Sequence, residues 1–140
     1  MSDLQAFFAQ NVQAEITEEF VISDRFKDEN GKPIPWKLRG MDEIENEEIR
    51  KSATKRKKVK GRGYVTEIDD EEYINKLMVA SVVYPNLKDA ELQKSYGVIG
   101  AGMLLKKMLL SGEYGELAEK VKEINGYDKD MEDLKDEAKN

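Results

Sequence analysis

The chain has 140 residues, 39% hydrophobic and 37% charged, and its 23 basic against 29 acidic residues leave a net charge of −6. That is enough for one domain with a thin apolar supply, and it is at odds with a membrane protein or one that coats nucleic acid. Cysteine and histidine are both absent, which excludes disulfide scaffolds, the usual zinc sites, serine–histidine triads, cysteine nucleophiles and histidine pH switches.

Ser2 and Gln5 have the spacing of a capping box, and Leu4, Phe7, Phe8 and Val12 behind them keep helical period, which predicts a short amphipathic helix ending near residues 11–13. Phe20-Val21-Ile22 reads as a strand. Ile34, Trp36 and Leu38 alternate with Pro35, Lys37 and Arg39, the period of a half-buried strand that places the tryptophan inward. Asp28-Glu29-Asn30-Gly31-Lys32-Pro33 between them carries an Asn-Gly turn signal, so residues 15–40 are expected to form a β-hairpin. Asp42 with Glu45 starts a helix running to about Thr54, with a sparse apolar stripe of Ile44, Ile49 and Ala53.

Arg50 to Arg62 then holds eight basic residues and no acid, leaving 15 basic against 29 acidic residues elsewhere, a balance of −14. Like-charge repulsion with Gly61 and Gly63 predicts a mobile basic loop over 55–63, dispensable for folding. Asp69 and Glu72 cap a helix with Tyr73, Ile74, Leu77, Met78 and Val82 inward, stopped by Pro85. A short helix spans Asp89 to Tyr96 and closes at Gly97. Ala101, Leu104, Leu105, Met108 and Leu109 form the next helix, with Lys106 and Lys107 outward. Ser111 opens another, striped by Tyr114, Leu117, Ala118, Val121 and Ile124 and ended by Gly126. Asp128 begins a last, highly charged helix with Met131, Leu134 and Ala138 on its apolar side. The expected fold is α+β: an N-terminal β-hairpin packed on a mainly α-helical body of five to seven short helices over 69–140, all within one domain, 1–140.

No metal or cofactor site is expected. A calcium loop aligned on Gly31 would put Phe26 and Lys37 where acids are required, so Asp28 and Asn30 read as turn formers. The acids of 69–72 and of 128–132 have the composition of first helical turns. Gly97, Gly100 and Gly102 fit no phosphate-binding loop. The basic run, with Lys55, Arg56, Lys57 and Lys58 at its centre, is either a solvated loop or a contact for an acidic protein partner; with Tyr64 the one aromatic beside it, nucleic acid is the weaker reading. The helical stripes outnumber the core available, so Met103, Leu104, Met108 and Leu134 are expected to include an exposed partner-binding patch. No targeting signal is visible, and Val98 to Leu110 is too short and too charged to span a bilayer, so a cytoplasmic location is expected.

Several stretches together carry a family resemblance: Pro35-Trp36-Lys37-Leu38-Arg39, Asn46-Glu47-Glu48-Ile49-Arg50-Lys51, Val83 through Gln93 (VYPNLKDAELQ), Ser95-Tyr96-Gly97-Val98, Met108 through Tyr114 (MLLSGEY) and Ile124-Asn125-Gly126-Tyr127-Asp128. From about residue 3 to the C-terminus the chain resembles the XkdN-like tail assembly chaperones of phages and of PBSX-type prophages of Bacillus and related bacteria. The resemblance implies a non-enzymatic protein that holds the long helical tape measure protein, helps tail tube subunits polymerise around it, and is not retained in the virion. Protein partners are implied, nucleic acid and membrane are not, and self-association is left open. A nucleic-acid-binding regulator using the basic loop and a small carboxylate-based enzyme are the alternatives. The resemblance also raises a longer frameshifted product: Ala138-Lys139-Asn140 can be encoded with the slippery heptamer A-AAA-AAC, or can simply be a polar helix end.

Overall fold

The computed structural model describes residues 2–13 and 15–127; the expected last helix, Leu134 with it, and the chain end lie outside the described residues. In chain order the elements are two 3₁₀ turns (Leu4–Phe7 and Ala9–Asn11), β1 (Thr17–Phe20), β2 (Trp36–Arg39), α1 (Glu43–Ser52), β3 (Thr54–Val59), β4 (Gly63–Ile68), α2 (Asp70–Ser81), β5 (Val82–Tyr84), α3 (Ala90–Ser95), α4 (Ala101–Met108) and α5 (Ser111–Ile124). The fold is α+β. A three-stranded antiparallel sheet, ordered β1-β2-β5, lies against the helices, and β3 and β4 form a separate antiparallel ribbon.

The local signals do what their chemistry requires. Asp42, Asp69 and Asp89 each accept a hydrogen bond from the backbone N–H three residues on, satisfying a donor that the first helical turn leaves free. In the 21–35 connection, the Asp28 carboxylate accepts from the N–H groups of Asn30 and Lys32, and Gly31 takes the positive φ that the turn requires.

Trp36 and Leu38 put the inner face of β2 into the core against α5, joined by Leu77 and Met78 of α2, Leu104, Leu105 and Met108 of α4, and Leu117 and Val121 of α5. Phe26, from the long connection, packs its ring 6.3 Å from that of Trp36. Gly40 follows β2, and a Cβ there would stand 2.9 Å from the Ile124 carbonyl oxygen, so only glycine permits this approach. Asn125 completes the joint: its side-chain oxygen accepts from the Met41 N–H at 2.8 Å, and its amide donates to the Val121 carbonyl and to buried Ser81.

Four expectations need correction. The N-terminal residues keep the reciprocal Ser2–Gln5 capping hydrogen bonds but form two 3₁₀ turns, not one amphipathic helix, and Leu4, Phe7, Phe8 and Val12 are exposed because no apolar surface covers them. Ile44 is exposed while Asn46 is buried in α1, since Asn46 donates to Glu43 and accepts from the Tyr73 hydroxyl. Val82 leaves the helix and opens β5, whose residues pair with β2. Residues 55–63 are not an unpaired loop but part of a two-stranded ribbon, in which Thr54 to Val59 pairs residue by residue with Ile68 to Gly63.

The long connection is pinned by one ion pair. Arg25 donates to both carboxylate oxygens of Glu113, at 2.5 and 3.3 Å, and to the Met108 carbonyl; Glu113 also accepts from the Leu110 N–H, which caps α5. Arg25, with the Ser23 hydroxyl and the Leu110 N–H, holds the Glu113 carboxyl down from 4.5 to about 2.

Three outcomes follow for the fold. Trp36→Ala should cost about 3–5 kcal/mol in chemical denaturation, the usual loss for a fully buried aromatic, and the native tryptophan emission should be blue-shifted. Gly40→Ala should lower stability by about 1–3 kcal/mol, because the new methyl meets backbone rather than a yielding side chain. Glu113 stays charged in the folded protein where the unfolded chain takes up a proton, so its contribution is complete above pH 4.5 and is lost as pH falls towards about 2. Glu113→Gln should therefore reduce the melting temperature near neutrality and flatten its decline across that acid window.

Candidate functional site: partner-binding surfaces

Helix α4 divides the residues that the sequence groups together. Its inward face carries Leu104, Leu105 and Met108, all buried, while Met103, Lys106 and Lys107 point to solvent. Leu104 and Met108 are therefore core, not an exposed patch: they lie on the α4 face that closes over α2 and α5. Met103 is 55% exposed and is the one of the expected apolar contacts that the described surface presents. Leu134 lies outside the described residues.

An open cleft of about 420 Å³ is lined by Asp70, Glu71 and Ile74 of α2, Lys106 of α4 and Tyr114 of α5. Its position follows from a close helix crossing. At Gly102 a Cβ would collide with the Asn75 side chain, and the Asn75 amide donates both to the Gly102 carbonyl and to the Tyr114 hydroxyl. Tyr114 is thus held by its polar end while its ring forms the cleft wall. Ile74 supplies apolar surface; Asp70, Glu71 and Lys106 supply a charged rim. The sequence pattern marks Tyr114 and Ile74 only as core positions, and both are partly buried at the edge of the core cluster.

Lys55, Arg56, Lys57 and Lys58 lie along β3 with side chains alternating between the two faces of the ribbon. Lys55 is anchored by an ion pair to Glu72 at 2.9 Å, which lowers the Glu72 pKa. Arg56 stacks 4.0 Å over the ring of exposed Tyr64. Among the described residues no carboxylate pairs with Arg56, Lys57, Lys58, Lys60 or Arg62. Asp28 and Asn30, the weighed calcium residues, are engaged in their own turn. Ile99, held between Gly97 and Gly100, is 95% exposed. The sequence signal for it was an apolar residue in a loop with glycines on either side.

No helix among the described residues is long and apolar enough to cross a membrane. The chain is similar to known proteins in sequence and in fold. In Bacillus subtilis (strain 168), the uncharacterised protein YqbN is 38% identical over 140 residues, covering 99% of this chain and 93% of that protein. The phage-like element PBSX protein XkdN of the same organism is 36% identical over 120 residues, covering 85% of this chain and 81% of XkdN. The crystal structure of YqbN superposes with a TM-score of 0.78 at 27% identity, over 91% of this chain and 99% of that one. The family model of the phage XkdN-like tail assembly chaperone proteins matches residues 4–139, and the chain belongs to that family.

Proposed function

We propose that the chain is a non-enzymatic chaperone that binds the tape measure protein during phage or prophage tail assembly and assists polymerisation of the tail tube around it. It acts in the cytoplasm of the bacterial host and is released before the virion is complete. Family membership across nearly the whole chain carries this reading. The cleft between α2, α4 and α5 supports it physically: apolar surface from Ile74 and Tyr114 with charges of both signs beside it suits the apolar stripe of an amphipathic client helix, and Met103, on the same helix as Lys106, is exposed as a further apolar contact.

The two alternatives have less support. With a balance of −14 outside the basic segment, most of the molecule repels a polyanion. The carboxylates of Glu43, Glu72 and Glu113 are held charged by Asn46, Lys55 and Arg25 respectively, the opposite of what a general acid needs.

Met103→Asp combined with Lys106→Glu changes only exposed side chains, so circular dichroism and melting temperature should stay unchanged. Retention of the cognate tape measure protein in a co-expression pull-down should fall by about tenfold or more. Undiminished retention by a folded double variant would remove the cleft from consideration.

A further inference from the structure

Among the described residues, two strand edges of opposite charge have no strand paired to them. One is the outer edge of β1: the sheet order β1-β2-β5 pairs this strand on one side only, and its exposed residues include Glu18 and Glu19, with exposed Glu15 just before it. The other is the outer edge of β3 in the two-stranded ribbon, carrying Lys55, Arg56, Lys57 and Lys58. We propose that the β3 edge of one copy of this chain adds to the β1 edge of a second copy, so that the protein self-associates by charge-matched strand addition.

Unpaired edges are templates for further strands, and proteins commonly disarm them with charge. Here charge selects rather than forbids. An edge of one copy meeting the same edge of another would stack cation on cation or carboxylate on carboxylate, which cross-strand pairing disfavours. The mixed pairing is favourable on both faces of the new sheet. In β3, Lys55 and Lys57 stand on one face and Arg56 and Lys58 on the other; in β1, Glu19 stands on the face of Lys37 and Glu18 on that of Leu38. Each face of either strand therefore offers one sign of charge to the opposite sign.

The ribbon is also preorganised for this. Its base is tied to the body by the Asp69 N–H donating to the Ala53 carbonyl and by the Lys55–Glu72 pair, and its strands are already paired. Strand addition therefore orders little that is not ordered beforehand. The remaining outer edge of the three-stranded sheet, β5, is three residues long and ends at Pro85, a poor template.

The test is sedimentation or light scattering of the purified protein at rising concentration. In about 0.1 M salt, where charges are felt over about 10 Å, the weight-average mass should climb from 16.0 kDa towards twice that value or beyond. In about 1 M salt, where that distance shrinks to about 3 Å, it should return to the monomer value. Lys57→Glu with Lys58→Glu, and separately Glu18→Lys with Glu19→Lys, should each remain monomeric in low salt. An equimolar mixture of the two variants should associate again, since the reversed ribbon of one matches the reversed edge of the other. The mixture also controls for misfolding, because unfolded variants would not restore a defined mass. A wild-type protein that stays at 16.0 kDa in low salt overturns the proposal, whether or not an added single-stranded oligonucleotide binds the ribbon. So does association that survives the charge reversals, or a mixture that stays monomeric.

Discussion

At the end of β2 the chain runs so close to the last turn of α5 that Gly40 has no room for a side chain beside the Ile124 carbonyl. Asn125 then converts that proximity into hydrogen bonds, receiving the Met41 N–H and donating to the Val121 carbonyl and Ser81. Four parts of the molecule meet there: the exit from the sheet, the entry to α1, the end of α2 and the end of α5. Arg39 reinforces the same corner by bonding the Ala80 carbonyl and the Glu45 carboxylate. A partly buried amide with every group used favours one geometry, since other arrangements leave polar atoms without partners. Trp36 and Leu38, a few residues upstream, reach the core only because the strand is held at this depth.

Core volume explains where a partner can bind. The chain has few large apolar residues, and the fold uses Leu104, Leu105, Met108, Leu117 and Val121 to close the space between the helices and the sheet. Among the apolar groups left outside are Met103 on the opposite side of α4, the cleft beside Tyr114, Ile99, and the N-terminal turns. The cleft exposes apolar surface without drawing on the core, because its tyrosine is fixed by a hydrogen bond from Asn75.

The charge distribution is as uneven in space as in sequence. Many acids are consumed locally: Glu43 and Glu47 pair with Arg50 and Lys51 on α1, and Glu116, Glu119 and Glu123 pair with Lys120 and Lys122 on α5. Exposed pairs of this kind contribute little to stability. The ribbon is different, because its cations outnumber the acids within reach, and an ordered, unneutralised basic strand has more value for contact than for folding.

The sequence by itself determined the features that depend on near neighbours. Asp42, Asp69 and Asp89 as caps, the Asp28–Gly31 turn, the inward register of Trp36 and Leu38, and the stripes of α4 and α5 all follow from groups a few residues apart, and the motifs shared with the chaperone family were legible in the same way. Strand identity in β5 and in the ribbon was decided only by tertiary structure. Val82 continues the α2 stripe by periodicity, and its N–H still bonds the Met78 carbonyl, but it turns into a strand because β2 lies beside it, with Leu38 as its cross-strand partner. Residues 55–63 looked like a repelling basic loop, but Thr54 to Val59 each gain a cross-strand partner in Gly63 to Ile68 once Gly61 and Gly63 reverse the chain. Which helical stripe becomes core was equally beyond local pattern. Leu104 and Met103 are adjacent and comparably apolar, and only the position of α2 and α5 around α4 buries the first and leaves the second exposed.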